Sequence, residues 1–192
     1  VGVESLDNPA IVVIDMLDDF VSGNLRVERA ARIIQPLVQL LDVARRKGIP
    51  VIYSNDAHYA EDFEVTHKWG VHAIKGSCGA QIIPELTPSK NDFVVEKRTY
   101  SGFFETGLDS LLRSLYSGKG VGTLILCGLH TDICVRHTSA DAFFRGYKLV
   151  IAKDGVEALT QEAHEKGLEY LQDVYNAEIR IVPEIIREFE KV

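Results

Sequence analysis

Six short apolar runs punctuate the chain, and between several of them the apolar positions recur every three or four residues. Residues 10–14 (AIVVI), 51–54 (VIYS), 93–95 (FVV), 123–127 (TLILC), 147–151 (YKLVI) and 178–182 (EIRIV) read as strands. The near-continuous runs suit parallel strands covered on both faces. Residues 29–47 place Ile33, Ile34, Leu37, Val38, Leu40, Leu41 and Ala44 on a helical stripe. Pro36 falls inside it, so the helix either kinks or starts later, and Lys47-Gly48-Ile49-Pro50 closes it. Residues 106–116 and 160–174 also read as helices, 140–144 as a helix ending before Gly146, and 185–189 as a short terminal helix. The acidic stretch 184–190 reads as a solvated face of that last helix. Alternating strands and helices predict the α/β class: one domain over residues 1–192, a three-layer α/β/α arrangement around a six-stranded parallel sheet with right-handed crossovers. Residues 59–88 show no period, apart from a short helical turn expected at 82–86. A segment this long without structure of its own is usually functional or disordered, and Trp69, His67 and His72 argue against disorder.

Composition narrows the class. The 192 residues carry a net charge of −7, which argues against a general nucleic-acid binder needing a basic face. The three cysteines form an odd, sparse set without metal-type CxxC spacing, as expected in a reducing compartment. Cys127 sits within a strand and reads as core; Cys78 lies in the long loop and reads as incidental. No run approaches the ~18 apolar residues of a membrane span and no signal-like segment opens the chain, so a soluble cytoplasmic protein is expected.

The candidate chemistry falls at strand ends. Asp15 follows the first run, and open α/β sheets bind ligands at that carboxyl edge. Asp56 and His58 follow the second run two residues apart, so both can point at one spot, and a carboxylate with an imidazole suits a borderline metal. His72 lies far enough along the loop to fold back as a third ligand. Lys97 follows the third run, as a snorkelling surface side chain or a proton carrier beside an acid and a thiol. Cys134 follows the fourth run. With Thr131 as N-cap, its thiol would sit on a helix first turn, where the dipole lowers a thiol's pKa and free N–H groups can hold an oxyanion. Asp15, Lys97 and Cys134 thus share one sheet edge, an arrangement suited to thiolate attack on a carbonyl and hydrolysis of the resulting thioester. His137 and His164 read as helix-surface or hydrogen-bonded residues, while His67 stays open between a solvated residue and an alternative ligand.

These residues resemble a known family. Ile14-Asp15 with Asp19-Phe20, Glu96-Lys97-Arg98-Thr99-Tyr100-Ser101-Gly102-Phe103, and residues 128–135 are similar to the three motifs of the isochorismatase-like cysteine hydrolases, in their nicotinamidase and N-carbamoylsarcosine amidase group. The resemblance runs over residues 9–182. It implies Asp15 as general base, Cys134 as nucleophile, Lys97 as electrostatic support, and a cis peptide at Leu129–His130 that turns the His130 and Cys134 N–H groups to an oxyanion. It also implies a divalent ion (zinc, or iron or manganese) on Asp56, His58 and His72, with Glu64 as a further candidate. Phe20 and Tyr100 match pocket-lining aromatics. Where some nicotinamidases place a tryptophan before the lysine, this chain has Val94-Val95-Glu96, and Trp69 is the candidate replacement wall. Leu17 stands where the family usually has a polar residue. The implied substrate is a small amide: nicotinamide, or an N-carbamoyl or ureido compound in which Asp56, His58 and His72 form only a polar wall. A metal-binding scaffold without catalysis is the reading from another class. A dimer or tetramer is implied, with residues 59–88 serving as a lid or as part of a neighbouring subunit's pocket.

Overall fold

The apolar runs become β1 (Pro9–Ile14), β2 (Val51–Asp56), β3 (Phe93–Lys97), β4 (Thr123–Leu129), β5 (Lys148–Glu157) and β6 (Glu178–Arg180). In this computed structural model, which describes residues 6–191, they form one open sheet in the order β3-β2-β1-β4-β5-β6, with every neighbouring pair parallel. The helices are α1 (Asp18–Val21), α2 (Ala31–Arg46), α3 (Leu108–Ser114), α4 (Cys134–Phe144), α5 (Gln161–Tyr175) and α6 (Val182–Glu190). α2 packs on α6 and β5, while α4 packs on α5, β4 and β5. The central strands are buried throughout, as their unbroken apolar runs require. β1 leads to β2 on one side, yet β4 lies on its other side, so the strand order reverses between β1 and β4. That crevice at the carboxyl ends is where doubly wound sheets bind ligands.

Several boundaries differ from the pattern-based expectation. β5 runs to Glu157, not Ile151: Ile151 pairs with Leu126 and Val156 with Gly128, so Lys153-Asp154-Gly155 bulges out of register. The two charges and the glycine resemble a turn in sequence. The bulge is used, because Asp154 Oδ1 accepts the Val182 N–H at 2.7 Å at the start of α6. α6 accordingly starts three residues before 185, and β6 ends at Arg180. β3 is an edge strand rather than a buried one, with Val94 53% exposed. α2 runs through Pro36 without a break. α4 starts at Cys134 with Ile133 as its N-cap residue, not Thr131, and no side chain caps it. The Thr131 hydroxyl is instead paired with His164 Nδ1 at 2.9 Å. No helix among the described residues is long and apolar enough to cross a membrane.

Gly128 fixes how closely β1 and β4 approach at the reversal. Its φ is +101°, and a Cβ there would lie 2.0 Å from the Ile14 carbonyl oxygen. A β-carbon is therefore barred by both backbone conformation and contact. Gly128→Ala is expected to cost at least ~2 kcal/mol in a urea unfolding titration.

Candidate active site

β1, β2, β3 and β4 deliver four buried groups to one point. Lys97 ends β3 opposite Asp56, its register partner at the end of β2. Its ammonium lies 2.5 Å from Asp56 Oδ1, 2.8 Å from Asp15 Oδ2 and 3.7 Å from Cys134 Sγ. Asp15 leaves β1 with φ +52°, and its Oδ1 accepts the Asp56 N–H at 2.8 Å. Asp15, Asp56 and Cys134 each have a polar atom within 4.8 Å of the other two. None of the four residues is more than 4% exposed.

Charge balance sets their protonation. Burial, then the neighbouring Asp56, raises Asp15 to about 6 against the opposing pull of Lys97. Burial also acts to raise Asp56, but the Lys97 ammonium and His58 outweigh it and hold this carboxyl at about 2. Lys97 is stabilised as a cation: desolvation disfavours its charge, and the two carboxylates more than offset that. Cys134 goes opposite to the helix-dipole expectation. Burial drives its thiol well up, and Asp15 and Asp56 add to the effect against Lys97. The resting group is a thiol beside a carboxylate able to take its proton.

The peptide between Leu129 and His130 is cis. Neighbouring N–H groups are spoken for: Thr131 donates to Glu157 O, and Ile133 and Val135 donate to His130 O. Burial lowers the His130 pKa to about 4, so its ring is neutral near pH 7; it meets Phe20 edge-on at 5.6 Å between centroids.

Asp56 also belongs to a second cluster. One donor atom from each of Asp56, His58 and His72 lies within 4.8 Å of the other two. The loop reaches the site by extending the sheet: His58 N–H donates to Ala73 O, and Lys75 N–H donates back to His58 O. His58 Nδ1 faces Asp62 Oδ2 at 3.3 Å, and His72 Nδ1 faces Gly70 O at 2.7 Å. Both partners are acceptors, so in a neutral ring the proton sits on Nδ1 and the lone pair on Nε2. His58 Nε2 is buried without a hydrogen-bond partner, 3.5 Å from Asp56 Oδ2. Burial acts to lower the His58 pKa, but Asp56, Glu64 and Asp62 outweigh it and raise it, so this spot favours positive charge. Imidazoles whose second nitrogen is pinned to a carboxylate and a carbonyl fit a borderline divalent ion. Glu64 stands outside the three-residue cluster, with Oε1 accepting from the Thr99 hydroxyl at 2.6 Å.

A cavity of about 270 Å³ opens over Cys134. Phe20, Trp69 and Tyr100 line it along with Asp56, Glu64, His72 and His130, and Trp69 Nε1–H donates to the Tyr100 hydroxyl at 3.1 Å. Asn24, Leu25, Arg26, Ile133 and Leu159 complete the lining; no motif points to them, because walls shaped by exposed loops have no fixed spacing. Asp62 was legible in principle, four residues after His58 and also paired with Arg98. Leu17 is fully buried, with its backbone bridged to Ile82, which accounts for an apolar residue there. His67 stacks on Phe63 at 4.3 Å and is exposed, outside the metal-type cluster. Cys78 is exposed, Cys127 is fully buried, His137 is exposed on α4, and His164 is buried against Thr131.

Removing the Lys97 charge leaves two buried carboxylates facing one another. Lys97→Met is expected to cost ~3–5 kcal/mol by chemical denaturation, far beyond a surface ion pair.

Comparison with known proteins agrees with this fold. The isochorismatase domain profile matches residues 9–180. The crystal structure of N-carbamoylsarcosine amidase from Thermoplasma acidophilum is 40% identical, with a TM-score of 0.83 over 91% of this chain and 96% of that one. The nicotinamidase/pyrazinamidase PncA of Bacillus subtilis is 32% identical, with a TM-score of 0.82 over 89% of this chain and 98% of its own. The pyrazinamidase of Pyrococcus horikoshii, solved in complex with zinc, is 26% identical, with a TM-score of 0.83 over 91% and 99%. A profile match over nearly the whole described chain, on a parallel sheet with the same overall shape, places this protein in the isochorismatase family.

Proposed function

We propose that this isochorismatase-family amidohydrolase cleaves a small planar carboxamide through a thioester on Cys134, with nicotinamide as the substrate that fits best. The observation that carries the reading is the shared carboxylate. Asp56 touches the Lys97 ammonium beside the thiol on one side and faces His58 on the other, so the nucleophile and two of the metal-type donors, Asp56 and His72, line one aromatic-walled cavity.

Asp15 takes the Sγ proton as the sulfur attacks the amide carbonyl carbon. A pKa of about 6 leaves this carboxylate mostly ionised near neutral pH and still basic enough to accept a proton. Lys97 keeps its charge throughout and offsets the negative charge gathering on sulfur and oxygen. On this reading the N–H groups of His130 and Cys134 receive the carbonyl oxygen. Asp15 then passes its proton to the leaving nitrogen, the C–N bond breaks and ammonia departs. Water attacks the thioester carbonyl as Asp15 removes a proton from it, the C–S bond breaks to release the acid, and that proton returns to sulfur. The sum is amide plus water to acid plus ammonia. Asp56, His58 and His72 would hold a divalent ion, zinc being the first candidate, which supplies a Lewis-acid site for a ring nitrogen. Phe20, Trp69 and Tyr100 would fix the ring plane.

A second reading is supported by one observation, the 40% identity to the carbamoylsarcosine amidase of Thermoplasma acidophilum. On that reading the same cysteine chemistry acts on an N-carbamoyl group.

Purified protein is expected to release ammonia from nicotinamide, to lose that activity on chelation and to regain it with Zn²⁺, Fe²⁺ or Mn²⁺. Folded, metal-loaded protein that releases ammonia only from N-carbamoyl compounds would overturn the nicotinamide assignment. Cys134→Ala is expected to lower kcat/KM by roughly 10⁴-fold or more while leaving the thermal midpoint close to that of the parent. An unchanged turnover number would remove the thiol from the mechanism.

A further inference from the structure

We infer that Asp19 is a positioning residue that sets His72 and the cavity wall at residues 24–26 as one unit; the inference rests on the metal reading above. Asp19 is buried in α1. Its Oδ2 accepts the Ala73 N–H at 2.8 Å, one residue after the candidate ligand His72. Its Oδ1 accepts the Asn24 N–H at 3.1 Å, and Asn24, Leu25 and Arg26 form one side of the cavity. The Asn24 side chain closes the loop by donating to Val71 O at 3.2 Å. One carboxylate therefore ties the metal-type loop to the substrate wall through both of its oxygens.

Two further features show that the site is shaped around this group. Ala73 has φ +41°, a left-handed conformation unfavourable for alanine, so it needs bonds to hold it. The Asp19 carboxylate takes its N–H, and His58 N–H donates to its carbonyl. Gly79 presses on the carboxylate from the other side: a Cβ there would stand 2.1 Å from Asp19 Oδ2, and one at Gly23 would stand 2.5 Å from Oδ1. Glutamate is too long for this enclosure, and asparagine turns an N–H₂ toward one of the two N–H donors. Asp19 accordingly acts on metal affinity through the placement of His72, as a second-layer acceptor commonly does.

The test is Zn²⁺ affinity at 25 °C by competition with a chromophoric chelator, for wild type, His72→Ala, Asp19→Asn, Asp19→Ala, Gly79→Ala and the Asp19→Ala/Gly79→Ala pair. Circular dichroism of each chelated protein would check folding. Wild type is expected to bind one equivalent of Zn²⁺ in a His72-dependent way. Asp19→Asn and Gly79→Ala should each weaken binding by roughly 10- to 100-fold. Gly79→Ala should add nothing once Asp19 is truncated, because its methyl then has room; this non-additivity separates displacement of the carboxylate from general loosening of the loop. If Asp19→Ala does not fold, Asp19→Asn and Gly79→Ala still decide the matter. His72-dependent binding that is as tight in both of those variants as in wild type, or fully additive losses in the pair, would overturn the role of Asp19 alone. Absence of His72-dependent Zn²⁺ binding in wild type would overturn the metal reading and this inference with it.

Discussion

A single ammonium buried between two carboxylates is the constraint on which the carboxyl edge of the sheet depends. Placing Lys97, Asp15 and Asp56 out of water is costly for each alone, and the cost is offset only while all three keep their contacts. Each stands at the end of a different strand, so the ion pairs also fix the relative positions of β1, β2 and β3 at their exits. The same cluster divides the two carboxylates in function. Asp56, closer to Lys97 and facing His58, stays strongly ionised at about 2, whereas Asp15, fully buried and repelled by Asp56, rises to about 6. Two identical side chains thereby acquire different chemistry: one suited to hold cations, one to exchange a proton with sulfur.

Legibility in the sequence follows from how local each determinant is. The strands with unbroken apolar runs at 10–14 and 123–127 were readable because burial on both faces leaves no polar position to confuse the pattern. The sheet edge shared by Asp15, Asp56, Lys97 and Cys134 was readable because each residue follows one of the apolar runs. The bulge at Lys153-Asp154-Gly155 was not, because residues looped out of a ladder have the composition of a turn. Nor was the exposure of β3, since strand order is a property of the whole sheet and FVV looks alike at an edge and in the middle. Thr131 reads as an N-cap by residue type, but its hydroxyl is taken by His164 from α5, a partner more than thirty residues away.

The direction of the Cys134 shift shows the same limit in energetic terms. A helix start argues for an acidic thiol, and that argument holds for a group in contact with water. Here the thiol is buried and two carboxylates lie beside it, so desolvation and like-charge repulsion outweigh both the dipole and the single lysine. Which effect wins depends on neighbours brought in from β1 and β2, and residue spacing around Cys134 holds no record of them.

The long segment after β2 gains its meaning from where its backbone bonds go. His58 pairs with residues 73–75 as a short parallel extension of the sheet, while 81–83 pair with 16–18 just beyond β1. The segment is therefore anchored at two strand exits, and Glu64, Trp69 and His72 lie in the loop closed between His58 and residues 73–75. Between them a π-helical turn at Val65–Trp69 presents Trp69 to Tyr100. A stretch without hydrophobic period can be ordered in this way because its backbone groups are satisfied by the sheet's own rim and by Asp19, so it needs no apolar stripe of its own. The absence of a period that made residues 59–88 unreadable is thus the consequence of their use: their polar side chains line a site, and the rim supplies the order that a buried face would otherwise provide.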